Sequence, residues 1–261
     1  MILNYGSNIA SMKSLVKQAK SIIIAHAVCV ARQAVSSGSV EDAEKAGKKI
    51  GRMLFYVSKK RRQVALDNLA IAYPEICFEE RVVIAKRSFE HFGRMLGDFL
   101  KSEHRSKEEL DTSMEIFGLE HLDEALSFGR GGLMVTGHIG NWERSSAWLS
   151  MHGYPLNVVA QKFKHPKLNE LICGIREKVG TKVIFRGSAI RSILERLRKN
   201  ELIGLLSDQN SDEVFVPFFG KPCGCTLGPG VLAQRTRGAC CAMLMHLEGS
   251  RAVSFNDRTC H

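Results

Sequence analysis

The chain has 261 residues, 44% hydrophobic and 25% charged, enough for one large domain or two small ones and too apolar to remain disordered. No apolar run reaches the roughly 18 residues of a membrane-spanning helix, and the nearest stretch, 22–31, is interrupted by His26. Eight irregularly spaced cysteines exclude a disulfide-stapled miniprotein, and Cys223-x-Cys225 lacks the second pair that a zinc site needs.

The net charge of +10 is uneven. Residues 1–110 carry 19 Lys and Arg against 12 Asp and Glu, residues 111–159 carry 2 against 6, and residues 160–200 carry 11 against 3. An acidic middle is therefore flanked by two basic blocks, which suit anionic partners such as acidic headgroups or an acidic protein. Aromatic residues make up 7% and do not interleave with the basic block, so nucleic acid is not the expected partner.

In chain order, residues 1–40 read as a membrane-associating or poorly ordered segment, with Lys13, Lys17, Lys20 and Arg32 among apolar positions. Residues 41–110 read as helical. One helix covers 41–56. A second opens on Lys59-Lys60-Arg61-Arg62 and stops at Tyr73-Pro74. Basic residues are poorly placed at a helix N-terminus, so that run favours a phosphate or headgroup contact. Val82, Ala85, Phe89, Phe92, Leu96 and Phe99 then step by three and four, the signature of an amphipathic helix.

From Ile116 strands and helices alternate. Strands are expected at 133–136, 156–160, 182–185, 202–207, 214–219 and 239–247, and helices at 142–151, from Pro166 to Gly180, after Ser188, and at 232–237. Residues 220–230 read as turns and 250–261 as a polar, unpatterned tail, so on this reading the chain stops short of a complete domain. The expectation is an α/β domain over 41–261. Its mixed, largely parallel sheet, flanked by helices, lies in 111–261 behind the helical part, 41–110.

The sequence Leu133-Met134-Val135-Thr136-Gly137-His138-Ile139-Gly140-Asn141-Trp142-Glu143 runs from a strand through a glycine turn into a helix. Positions five apart lie about 140° apart around a regular helix. His138 must therefore be off the helix if Glu143, in its first turn, is to reach it. Such a pair would let the carboxylate hold one imidazole nitrogen while the other takes a proton from a hydroxyl. The amides of Gly140 and Asn141 at the helix N-terminus suit a phosphate or an oxyanion. Ligands of parallel sheets bind beyond the strands' carboxyl ends, which brings Asp208-Gln209, after the 202–207 strand, to the same crevice. His138, Glu143, Asp208 and His165 match no standard metal spacing, and neither a Gly-x-Ser-x-Gly elbow nor a Gly-x-Gly-x-x-Gly fingerprint is present.

The stretch from Thr136 to Glu143 resembles the signature of the bacterial lipid A biosynthesis (lauroyl/myristoyl) acyltransferases, within the lysophospholipid acyltransferase superfamily. The stretches Arg62-Gln63-Val64-Ala65-Leu66-Asp67-Asn68-Leu69, Ile175-Arg176-Glu177-Lys178-Val179-Gly180, Leu206-Ser207-Asp208-Gln209-Asn210, Val216-Pro217-Phe218-Phe219-Gly220-Lys221-Pro222 and Thr226-Leu227-Gly228-Pro229-Gly230 fit in order. The resemblance implies acyl transfer from an acyl-acyl carrier protein, or acyl-CoA, to a hydroxyl of a lipid A precursor, without a cofactor or metal. It implies His138 as general base, Glu143 as its orienting partner, and Gly140, Asn141, Lys162, Lys164, Arg186, Asp208 and Gln209 as substrate contacts. It also implies peripheral or weakly anchored attachment to the cytoplasmic face of a Gram-negative inner membrane. Acylation of another lysolipid or glycolipid, and a non-catalytic lipid-binding role, are the alternatives. The chain departs from the family pattern in lacking a clear hydrophobic anchor, in having Gln161 where an arginine is usual, and in lacking the basic, tryptophan-containing tail.

Overall fold

The computed structural model describes residues 22, 26, 28–33, 38–236, 239–246 and 252–257. Most of the 1–40 segment thus lies outside the described residues, although 28–33 are helical. No helix among the described residues is long and apolar enough to cross a membrane.

Three helices come first: α1 (Val40–Val57), α2 (Lys59–Ala72) and α3 (Phe78–Lys101). Ser39 and Asp42 close a capping box on α1, satisfying amides that the helix itself leaves unpaired. Arg62 donates to the carbonyls of Phe55 and Tyr56 at the end of α1. One cation of the basic run is therefore engaged in terminating the preceding helix, whose carbonyl end favours positive charge. Helices α1 and α3 pack with backbones in contact. A Cβ added at Gly47, Gly51, Gly93 or Gly97 would sit 2.1 Å from a carbonyl oxygen of the other helix. Small residues spaced by four make that approach possible.

After the short α4 (Lys107–Ser113), the chain builds the α/β part. It runs β1 (Glu115–Phe117), α5 (Leu119–Ser127), β2 (Gly132–Thr136), α6 (Trp142–Met151), β3 (Leu156–Ala160), α7 (Pro166–Lys178), β4 (Lys182–Phe185), α8 (Ala189–Arg198) and β5 (Leu202–Leu206). A hairpin, β6 (Val214–Phe218) and β7 (Lys221–Cys225), precedes α9 (Gly228–Thr236), β8 (Ala239–His246) and β9 (Ala252–Asp257). The fold is α/β. Its sheet order is β1-β9-β8-β2-β5-β3-β4, parallel throughout except between β8 and β9.

The alternation of strand side chains divides the core into two layers. Met134, Leu156 and Leu202 face Leu122, Ala147 and Leu149 on one side, and Leu133 and Ile203 face Ile193, Leu197 and Ala233 on the other. Full burial of each large aliphatic side chain contributes roughly 1.5–3 kcal/mol. Two tracts differ from the sequence expectation. Residues 221–225, read as turns, form the return strand of the hairpin, and residues 252–257, read as an unpatterned tail, form β9 between β1 and β8. Both carry turn-like or polar residues, and their strand character comes from pairing with a neighbour.

Candidate active site

Strands β2 and β5 pair in parallel from Gly132 with Leu202 to Thr136 with Leu206. The segments that leave their carboxyl ends therefore emerge side by side, and Ser207 donates its N–H to the Thr136 carbonyl. A Cβ at Gly137 would lie 3.1 Å from the carboxyl group of Asp208, so glycine leaves room for that carboxylate against the turn. Asp208 then binds His138 twice. It accepts the backbone N–H at 2.7 Å, and its Oδ1 lies 2.7 Å from the imidazole Nδ1. A carboxylate only accepts, which places the hydrogen on Nδ1 and leaves the lone pair on Nε2. The two side chains are 30% and 39% exposed, so the pair is open to solvent at the carboxyl ends of β2 and β5, where ligands of parallel sheets bind.

Trp142 packs edge-on against the imidazole, with centroids 4.8 Å apart, and Phe92 of α3 lies 5.8 Å from the indole. His91 Nε2 lies 3.1 Å from the Gly140 carbonyl. Gly140 has φ of 65°, a turn conformation that a side chain would strain. Asn141 caps α6 by accepting the Arg144 N–H, and its amide nitrogen donates to the buried Asp98. Asp98 also binds Arg144 and Arg105, fastening the motif to α3. Burial pulls the Arg105 pKa below its ordinary value. For Arg144 burial acts the same way, but Asp98 and Glu44 outweigh it and raise the pKa.

Glu143 differs from expectation. It lies in the first turn of α6, as the spacing argument requires, but Asp208 holds Nδ1 of His138 in its place. Glu143 accepts two hydrogen bonds from Arg176 of α7, at 2.6 and 3.0 Å, and one from its neighbour Trp142 at 3.2 Å. The carboxylate faces α7, where a fixed guanidinium fork matches both its oxygens. Glu143 and Arg176 are 11% and 16% exposed. Burial works against the Arg176 charge, yet the bonds and charge of Glu143 leave its pKa raised. Glu143 is linked to His138 through the indole it holds.

The remaining predicted contacts lie on the loops that leave the same sheet edge. Lys162 and Lys164 follow β3, Arg186 follows β4, and Gln209 follows Asp208, all exposed. The Lys162 ammonium stands 5.9 Å from the centre of the Phe185 ring. Gln161 is exposed at the start of the β3 loop.

Sequence reasoning missed Arg176 and Asp98 as supports. Each had a signal: Asp98 interrupts the apolar run Met95-Leu96-Gly97-Asp98-Phe99-Leu100, and Arg176 directly follows the buried Ile175. A charge on the inward face of a helix needs a partner there.

Known proteins similar to the chain include several acyltransferases. The chain is 30% identical over 160 residues to a Mycobacterium tuberculosis protein named phosphatidylinositol mannoside acyltransferase, covering 58% of this chain and 51% of that protein. It is 26% identical over 177 residues to a Haemophilus influenzae lipid A biosynthesis acyltransferase, covering 66% and 55%. With the Escherichia coli lipid A biosynthesis lauroyltransferase it shares 24% over 195 residues, covering 73% and 63%. The chain thus spans about half the length of the first of these relatives. The model of the bacterial lipid A biosynthesis acyltransferases matches residues 15–254, nearly the whole chain, and the chain belongs to that family.

Proposed function

We propose that the chain transfers a fatty acyl group from an acyl-acyl carrier protein to a hydroxyl of an anionic glycolipid of lipid A type. The observation that carries this is the partly exposed imidazole whose Nδ1 is held by Asp208, which leaves Nε2 as the nitrogen able to take a proton. In the proposed step, Nε2 takes the proton of the acceptor hydroxyl as its oxygen attacks the thioester carbonyl carbon. A tetrahedral oxyanion forms. The amides of Gly140 and Asn141, at the N-terminus of α6, are the donors proposed to receive it. Collapse breaks the carbon–sulfur bond, and the imidazolium returns its proton to the leaving thiolate. Asp208 stabilises the imidazolium through the intermediate. No cofactor enters this sequence.

Lys162, Lys164 and Arg186 suit the phosphates of the acceptor and the acidic surface of the carrier. The proposed location is the cytoplasmic face of the inner membrane, attached peripherally. A second acceptor class, a mannosylated phosphoinositide, is favoured by the name of the 30% identical relative. Replacing His138→Ala is expected to abolish acyl transfer, by about 10³-fold or more, while thermal unfolding stays unchanged. Mass spectrometry of lipid A from cells with and without the gene distinguishes the acceptors. A missing secondary acyl chain supports the lipid A reading, and an unchanged lipid A with near-normal turnover in the alanine variant overturns it.

A further inference from the structure

We propose that the β6–β7 hairpin is a wedge that seats this sheet edge on an anionic lipid surface. The inference rests on the acyltransferase reading only for the nature of the partner. Its observations are independent of the His138 chemistry.

A strand alternates its side chains between two faces. In β6, four consecutive residues from Phe215 to Phe218 are exposed, so the strand is bare on both faces, and three of the four are large and apolar or aromatic. Phe215 is 64% exposed, Phe218 60%, and Phe219 at the tip 51%. The hairpin pairs with no other strand among the described residues. Two-stranded ribbons are marginal in water without a surface to cover them, and a cluster of this kind marks an interaction site.

The turn points the same way. Phe219 and Gly220 have φ of 47° and 70°, the two positive values of a tight primed hairpin turn. Glycine takes that conformation freely, but a phenyl-bearing residue does so under strain. The turn places an aromatic ring at the tip of the hairpin. There it meets Phe218, at 4.6 Å between centroids, and Tyr73 at the end of α2, at 6.1 Å.

The surroundings choose the partner. The hairpin begins six residues after Asp208, on the segment that leaves the carboxyl end of β5. The loops leaving β3 and β4 at the same edge, with the helix starts that follow them, expose Lys162, Lys167, Arg186 and Arg191, and Lys221 lies on the hairpin itself. Exposed Phe163, Ile190 and Leu227 are interspersed with them. Of the acids at the hairpin's base, Glu213 is bonded to the Thr226 hydroxyl and the Leu227 N–H, and Asp212 is exposed. Glu75 and Glu79, close in sequence to Tyr73, are also exposed, whereas the exposed charges named on the β3 and β4 loops are positive. At the hairpin's base Glu213 feels the charge of Arg186, so the exposed aromatic strand begins beside a cation, the composition that inserts into headgroups and is drawn to anionic lipid.

The test is co-sedimentation of the full chain with vesicles. The wild-type chain is expected to pellet with mixed phosphatidylglycerol–phosphatidylethanolamine vesicles, less so at high salt, and poorly with phosphatidylcholine alone. The triple variant F215S/F218S/F219S is expected to lose roughly tenfold or more of that partitioning, with an unchanged melting curve, while Phe128→Ser on a distant surface retains it. His138→Ala is expected to partition like wild type, which separates a failure of this proposal from a failure of the catalytic reading. If the triple variant does not fold, Phe218→Trp alone serves, with the fluorescence of the new indole quenched by brominated lipids in bound vesicles. No wild-type partitioning, undiminished partitioning of the folded triple variant, or an indole left unquenched in the Phe218→Trp protein would each overturn the proposal. So would light scattering that shows the triple variant converting a wild-type dimer to a monomer, since the face would then belong to a second copy.

Discussion

Three ionic clusters hold the glycine turn between β2 and α6, and they differ in access to water. His138 and Asp208 form one, roughly a third exposed. Asp98 with Arg144, Arg105 and Asn141 forms the second and Glu143 with Arg176 the third, and in both the charged partners are 16% exposed or less. An exposed pair contributes little to stability but can exchange a proton with substrate. A buried, fully bonded pair cannot turn freely toward a substrate, and loss of either partner strands a charge. On the proposed mechanism the motif thus separates chemistry from support. His138 and the carboxylate that follows β5 meet the crevice, while Asn141, Trp142 and Glu143 tie the turn to α3 and α7.

The largest effect is expected where support is least adjustable. Gly93→Leu would drive a side chain into the Gly47 carbonyl and separate α1 from α3, costing about 4 kcal/mol or more. Loss of the cooperative urea transition is the expected result. Asp98→Ala removes the shared acceptor of Arg105, Arg144 and Asn141, and is expected to cost about 3–5 kcal/mol in urea unfolding. Whatever activity survives should scale with the folded fraction, because Asp98 does not touch the crevice pair.

Acid sharpens the same contrast. Burial disfavours the Glu103 carboxylate, but Arg32 and Lys178 outweigh it and hold its pKa down at about 2. A carboxyl depressed in the folded state contributes stability above its unfolded pKa of about 4.3, and loses it as pH falls toward the folded value. Stability should therefore decline between about pH 4.3 and 2 through this group, by on the order of 2 kcal/mol. Glu103→Gln should flatten that part of the curve, as read by chemical denaturation at successive pH values.

Most of the architecture is legible in the sequence because periodicity reports burial directly. The spacing of Val82, Ala85, Phe89 and Phe92 marks α3, and the apolar runs at 133–136 and 202–206 mark central strands. β7 and β9 are illegible because their sequences are turn-like or polar and are ordered by pairing with a neighbouring strand. The position of His138 off the helix follows from spacing, and Asp208 at the same crevice follows from sheet topology. The identity of the orienting carboxylate does not. Two acids, Glu143 and Asp208, satisfy the sequence argument, and the choice depends on where Arg176 lies in space, which no local pattern encodes. The glycine contacts of α1 and α3 were invisible for the same reason, since each stripe has meaning only against the other.

Asp208, and not Glu143, holds the imidazole. The most direct test of that role is to measure acyl-transfer kcat and the urea midpoint together for Asp208→Asn and Glu143→Gln. Asp208→Asn should lose about 10²–10⁴-fold in kcat at an unchanged midpoint. Glu143→Gln should instead lower the midpoint, with activity falling alongside it, and Arg176→Met should reproduce that pattern. Near-normal turnover in Asp208→Asn, together with a Glu143→Gln protein that is fully stable but inactive, would contradict that role.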